Sequence, residues 1–151
     1  MEQMNWTIKS FEELTTTELY NMLQLRSEVF VVEQNCPYQD LDDKDKIALH
    51  LWATDKGGKV VACCRLLPPN ISYAEASIGR VATSETVRGT GAGRTLMSKA
   101  ISHISSVWNE PAIRISAQTY LKAFYESLGF VQVGEGYLED NIPHIEMLRK
   151  A

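Results

Sequence analysis

The strongest chemical signal in the chain is the stretch Ile78-Gly79-Arg80-Val81-Ala82-Thr83-Ser84-Glu85-Thr86-Val87-Arg88-Gly89-Thr90-Gly91-Ala92-Gly93-Arg94. A strand-like run leads into glycines at 89, 91 and 93, and these lead into an amphipathic helical pattern. Glycine lets the backbone approach a ligand closely and turn its N–H groups toward it. A helix start adds unpaired donors and a partial positive charge. Together they form a cradle for phosphate, with Arg88 and Arg94 as full charges and Arg80 just upstream. A P-loop is excluded: G-x-x-x-x-G-K-[ST] would need glycine where Arg88 stands and lysine where Arg94 stands. A dinucleotide G-x-G-x-x-G also fails, because Arg94 occupies its sixth position. What fits is R-x-x-G-x-G over Arg88, Gly91 and Gly93, which a plain strand-to-helix turn could also produce.

A second group of residues could move protons. Tyr125, in Phe124-Tyr125-Glu126-Ser127-Leu128-Gly129-Phe130, offers a phenol; equally, it could be a core aromatic of the Leu121, Phe124, Leu128 stripe. Glu33, His50 and His144 are candidate bases. Each has a plainer role, Glu33 as a surface carboxylate and the histidines as structural strand residues, although imidazole titrates near neutrality. His103, between serines on a helical pattern, reads as solvated. Asp40, Asp42, Asp43 and Asp45 form an acidic run that could draw in a cation or simply face solvent.

These groups need a scaffold. Asn5 to Lys9 is a short strand candidate. Thr15-Thr16-Thr17-Glu18 is a capping box opening a helix whose apolar stripe runs to Phe30 and which ends by Asn35 and Pro37. Leu49 to Thr54 and Val60 to Leu67 are apolar strands joined by the hairpin signal Asp55-Lys56-Gly57-Gly58-Lys59. Ser77 to Thr83 is a strand and Gly91 to Trp108 a helix. Ile113 to Ala117 is a strand, followed by a helix over Leu121 to Leu128 that Gly129 stops. Phe130 to Val133 and His144 to Leu148 close the chain as strands, with Glu139-Asp140-Asn141 turning between them. The order β α β β β α β α β β predicts an α/β class, with helices mixed among the strands of one twisted sheet.

Composition bounds the rest. With 151 residues, 44% hydrophobic and 23% charged, the chain is long enough for one packed domain, 1–151. No apolar run approaches the roughly 20 residues that cross a bilayer, and Met1-Glu2-Gln3-Met4-Asn5 lacks signal-peptide character, so a cytoplasmic location is expected. Cys36, Cys63 and Cys64 form no C-x-x-C; buried inert thiols are expected and a metal site is not. Net charge is −4, which argues against a general nucleic-acid binder. Residues 1–45 hold ten acids and three bases, so the front carries −7 and the remainder +3.

The R-x-x-G-x-G loop after a strand, together with the later F-Y-x-x-x-G-F, resembles the GNAT superfamily of acyl-CoA N-acyltransferases. Leu25-Arg26-Ser27-Glu28-Val29-Phe30-Val31-Val32-Glu33-Gln34-Asn35-Cys36-Pro37-Tyr38-Gln39-Asp40, with Ile142-Pro143-His144-Ile145, extends the likeness to the ElaA family within it. The resemblance implies a mixed sheet with helices on both faces, its central parallel strands splayed near their middle. It implies acetyl-CoA as co-substrate. Val81 and Thr83 would pair with the pantetheine amides, and the N–H groups of Gly89, Thr90, Gly91, Ala92 and Gly93 would hold the pyrophosphate beside Arg88 and Arg94. Gln118 stands where an asparagine often bonds the pantetheine arm, and Tyr125 matches the tyrosine proposed to protonate the leaving thiolate. Some family members carry a glutamate near the position of Ser77; here Glu75 is the nearest carboxylate.

Two functions follow from the resemblance. The first is an acetyl-CoA-dependent N-acetyltransferase acting on a small-molecule or peptide amine, with Glu33 and His144 as substrate-side candidates and the acidic run attracting the cation. Nucleic acid and membrane partners are not expected, and a homodimer is allowed. The second is a non-catalytic acyl-CoA-binding module on the same fold.

Overall fold

The computed structural model of the chain describes residues 4–150. Strands β1 (Asn5–Ser10), β2 (Leu49–Thr54), β3 (Val60–Leu67) and β4 (Ser77–Thr83) form an antiparallel sheet in that order. Strands β5 (Ala112–Gln118), β6 (Val131–Glu139) and β7 (Ile142–Lys150) form a second one, ordered β5-β7-β6. Helices α1 (Thr16–Arg26), α2 (Ala92–Ser106) and α3 (Lys122–Glu126) complete the expected order.

The apolar spacing explains which helix covers which face. Leu96, Met97, Ala100, Ile101 and Ile104 bury one side of α2 against Leu51, Val61, Cys64, Leu66 and the second sheet. Met22 and Leu25 of α1, followed by Val29, pack on the opposite face with Trp52, Val60, Cys63 and Ala82. Helices therefore lie on both faces, and β3 is buried from end to end. That double burial is why β3 reads as a nearly continuous apolar run. It also turns the neighbouring Cys63 and Cys64 toward opposite helices. Burial pushes the Cys63 thiol up to about 12 and raises the Cys64 thiol well above its ordinary range, so neither ionises near neutrality.

Local signals form as written. Thr15 accepts from the Glu18 N–H at 3.1 Å, and Glu18 accepts from the Thr15 N–H at 3.0 Å. The Asp55 carboxylate gathers the N–H groups of Gly57 and Lys59 inside the hairpin. Gly129 adopts φ +94° at the end of α3. Phe130 N–H then bonds the Tyr125 carbonyl and Gly129 N–H the Glu126 carbonyl, a Schellman ending.

Three expectations change. The first helix does not continue as α beyond Arg26: Ser27–Glu33 is a π-helical stretch, continued by the Cys36 N–H bonding the Val31 carbonyl five residues back. The single sheet is two antiparallel sheets joined by one parallel bridge, Ala76 to Ile113, where the Arg114 N–H meets the Ala76 carbonyl at 2.9 Å. The parallel strands β4 and β5 thus part at their first residues rather than near their middle. A bulge opposes Arg80 and Val81 to the single residue Cys64, with Arg80 at φ +50°. Such a bulge bends and twists its strand, and it carries β4 away from β5.

Candidate active site

The gap between β4 and β5 is a cleft of about 660 Å³. Its walls include Gly79, Arg80 and Val81 from β4, and Ile115, Ser116 and Gln118 from β5. Tyr125 and His144 line it too, with Phe30, Gln34 and Tyr38 closing the front. The Ser84 N–H bonds Val61 at 2.8 Å, so Ser84 faces β3. By alternation Ala82 faces β3 as well, and Val81 and Thr83 present their backbone groups to the open edge. The Thr83 carbonyl accepts from Arg88 Nε at 3.2 Å and Nη2 at 2.8 Å.

The glycine loop meets α2 beyond that edge. Gly89 and Gly91 sit at φ +82° and +88°, where a side chain would be strained although no neighbouring atom blocks one. Gly93 has ordinary φ, and a methyl there would only touch Phe124 and Thr83 at 3.9 Å. The first helical bond is Thr95 N–H to the Gly91 carbonyl at 3.0 Å. The N–H groups of Gly91, Ala92, Gly93 and Arg94 therefore have no intrahelical acceptor. Donors plus the helix dipole make this end an anion site. Arg94 bonds Ser127 Oγ at 2.7 Å and lies over the Phe124 ring, tying α2 to the end of α3.

Tyr125 is both core and cleft. It is 6% exposed, with its ring edge-on to Phe124 and Phe130. Burial pushes its phenol well above the usual range, so the hydroxyl stays protonated. Gln118, the last residue of β5, accepts from Gln34 Nε2 at 3.4 Å and stands opposite His144 in the sheet.

The remaining candidates separate. Glu33 pairs with Arg88 at 2.7 Å at the loop. His50 is fully buried, with Nε2 2.8 Å from the Asp45 carbonyl, and burial lowers its basicity. His103 packs edge-on to Trp108 on α2, and Glu75 is held by Arg114 at 2.9 Å.

The acidic run does not act as a bare attractor of cations. Arg26 grips Asp40 at 2.9 Å and Asp45 at 2.8 Å, Arg65 grips Asp42 at 2.6 Å, and Arg80 reaches Asp40 at 2.7 Å. Arg26 and Arg65 are 1% and 4% exposed. Isolated charges at that depth would be very costly, so arginines from α1, β3 and β4 converge on the loop. Arg80 is consequently turned toward the aspartates, not the phosphate cradle. Only Asp43 stays outward, beside Lys46 at 2.9 Å. Sequence reading also missed the polar wall in which Ser116 bonds the Tyr137 hydroxyl and approaches Tyr73. Its members come from three separate segments, and no spacing links them.

A family profile described as Acetyltransferase (GNAT) domain matches residues 13–151. The chain belongs to the GNAT acetyltransferase family. Protein ElaA of Escherichia coli is 42% identical over 151 residues, covering 97% of each chain. The crystal structure of an acyl-CoA N-acyltransferase from Pseudomonas aeruginosa superposes with a TM-score of 0.92 at 46% identity, over 97% of this chain and 99% of that one. The Escherichia coli ElaA crystal structure gives 0.91 at 41%, over 98% and 100%. As in other GNAT proteins, the fold implies an acyl-CoA and an amine. Among the described residues no helix is long and apolar enough to cross a membrane.

Proposed function

We propose that the protein is an acetyl-CoA-dependent N-acetyltransferase that transfers the acetyl group to an amine by direct attack on the thioester. Two observations carry this: the N–H groups at the start of α2 have no intrahelical acceptor, and Tyr125 lines the same cleft as Val81 of β4. The residues suit the co-substrate. Gly89, Gly91, Ala92 and Gly93, with Arg94 alongside, would hold a pyrophosphate through backbone donors, whereas the Thr90 N–H already bonds the Val87 carbonyl at 3.3 Å. Val81 and Thr83 would pair with pantetheine amides as an added strand would. Gln118 would meet the same arm from β5. Arg88 would exchange its hold on the Thr83 carbonyl for the phosphate.

Acetyl-CoA supplies an acyl group on a fair leaving group. The Val81 N–H faces the open edge and would stabilise the oxygen on which negative charge develops. Tyr125 would give a hydrogen bond or a proton to the departing thiolate. The thiolate of a free thiol (pKa about 8.5) is a weaker base than a phenolate (pKa about 10). Burial widens that difference, so hydrogen bonding rather than complete transfer is the expected role.

The test is release of free thiol from acetyl-CoA across a panel of small amines, amino-sugars, polyamines and peptide N-termini. Turnover with at least one acceptor is expected; acetyl-CoA binding without turnover would identify a binding module instead. With an acceptor found, Tyr125→Phe should lower kcat roughly 10²-fold and leave the KM for acetyl-CoA nearly constant. Full activity in that folded variant would remove Tyr125 from the chemistry.

A further inference from the structure

An amine acceptor arrives as an ammonium, since primary amines have a pKa of about 10.4. One group in the cleft must take a proton before the nitrogen can attack. Of the three histidines, only His144 lines the cleft with Tyr125. His50 has its Nε2 occupied inside the core, and His103 lies on the outer side of α2.

The hydrogen bonds of His144 fix its tautomer. Nδ1 is 2.7 Å from the Ile142 carbonyl. A carbonyl can only accept, so Nδ1 carries the hydrogen and the neutral ring keeps its lone pair on Nε2. Nε2 stands 3.4 Å from the Glu139 carboxylate, which would stabilise the ring once it is charged. The ring stacks on Tyr137 at 6.1 Å and 22°, and Ser116 holds the Tyr137 hydroxyl. The imidazole is thus oriented from β6, from β5 through Ser116, and from its own strand.

The geometry points to His144 as the general base of this enzyme, with Glu139 as the group that supports its charged form. The assignment rests on the acetyltransferase reading above. His144 Nε2 takes one proton from the acceptor ammonium, leaving a neutral amine and an imidazolium whose Nδ1–H stays on Ile142. The amine nitrogen bonds the acyl carbon and the carbon–sulfur bond breaks. The nitrogen then loses a second proton, which ends on the CoA sulfur, and the His144 proton returns to solvent. Among the other ionisable groups around the ring, Glu146 on β7 is paired with Arg114 at 3.1 Å, Tyr73 lies beside Ser116, and Asp140 lines the cleft next to Glu139. Tyr137 is bonded to that same serine.

The experiment compares wild type with His144→Gln and Glu139→Gln, using two acceptors: a primary alkylamine, charged at the assay pH, and a weakly basic amine, already neutral. Acetyl-CoA affinity and thermal midpoint are measured alongside. For the alkylamine, His144→Gln should lose roughly 10²–10⁴-fold in kcat/KM, with acetyl-CoA affinity unchanged. The neutral amine should lose far less. Any rising limb of kcat/KM with pH should vanish in His144→Gln and move to lower pH in Glu139→Gln, where the imidazolium lacks its carboxylate. Equal losses for both amines, or an unmoved limb, would overturn the assignment while leaving the acetyltransferase standing. Failure of wild type to turn over any amine would overturn both. If His144→Gln does not fold, the limb in the exposed Glu139→Gln variant decides: a shift supports the assignment, and no shift ends it.

Discussion

Two strongly polar segments, the acidic run at 40–45 and the glycine loop at 88–94, use their polarity in opposite ways. The acidic run spends its charge inside the protein, where three aspartates meet three arginines and the pairs are mostly withdrawn from water. The glycine loop leaves the donors from Gly91 to Arg94 open, because backbone N–H groups at a helix start have no intrahelical partner. A charge count treats the first as the more reactive surface. The structure makes it a brace, whereas the segment proposed to bind the phosphate carries few charges. Buried charge must be neutralised locally, whereas a helix terminus can wait for a ligand at little cost.

The largest effect should come from breaking the brace. Arg26→Ala removes the buried arginine shared by Asp40 and Asp45, leaving Asp40 to Arg80 and Asp45 to Arg65, and removal of one member of a buried pair costs roughly 3–5 kcal/mol. Chemical denaturation should show that loss, with acetyl-CoA affinity retained in the protein that stays folded. Acid tests the same region without mutation. Arg65 holds the Asp42 carboxyl far below the usual range, and Arg26 and Arg65 together lower Asp45 against its desolvation. Carboxyls depressed in the folded state stabilise it above their unfolded pKa of about 3.9, and that stabilisation is lost as pH falls through the folded values. Unfolding monitored against pH should therefore steepen below about pH 4, and Arg26→Ala should flatten that dependence.

Breaking the cradle should affect binding and largely spare the fold. Gly91→Val forces a β-branched residue to φ +88°, at a local cost of roughly 1–2 kcal/mol, and narrows the approach to the N–H groups. Titration calorimetry should show acetyl-CoA binding abolished; retained affinity would remove the loop from the site. Arg88→Ala should weaken binding by about 1 kcal/mol, since its guanidinium is already shared with Glu33 and the Thr83 carbonyl. The smallest effect belongs to Asp43→Asn, inside the acidic run but outside the brace. Its exposed pair with Lys46 is worth about 0–1 kcal/mol, and a thermal melt should barely move.

Sequence alone determined the element order, both capping signals, the hairpin and the cradle. Each depends on residues within a few positions of one another: Thr15 with Glu18, Asp55 with Gly58, Arg88 with Gly91 and Gly93. It also carried the likeness to the GNAT family through two motifs. Only the tertiary structure decided what long-range contacts control. The bulge at Arg80 bends β4 beyond its one bridge to β5, and the partner strand that defines it lies some fifteen residues upstream. The acidic run reads as a lure until Arg26, Arg65 and Arg80 arrive from three different elements. Glu33 reads as facing the substrate until Arg88 takes it. His144 is marked in the sequence only through the family likeness; its tautomer and its place in the cleft come from Ile142, Glu139 and Tyr137 once β6 and β7 pair. Local spacing specifies backbone geometry, whereas the state of a charge or a proton is set by whichever groups folding brings within hydrogen-bond reach.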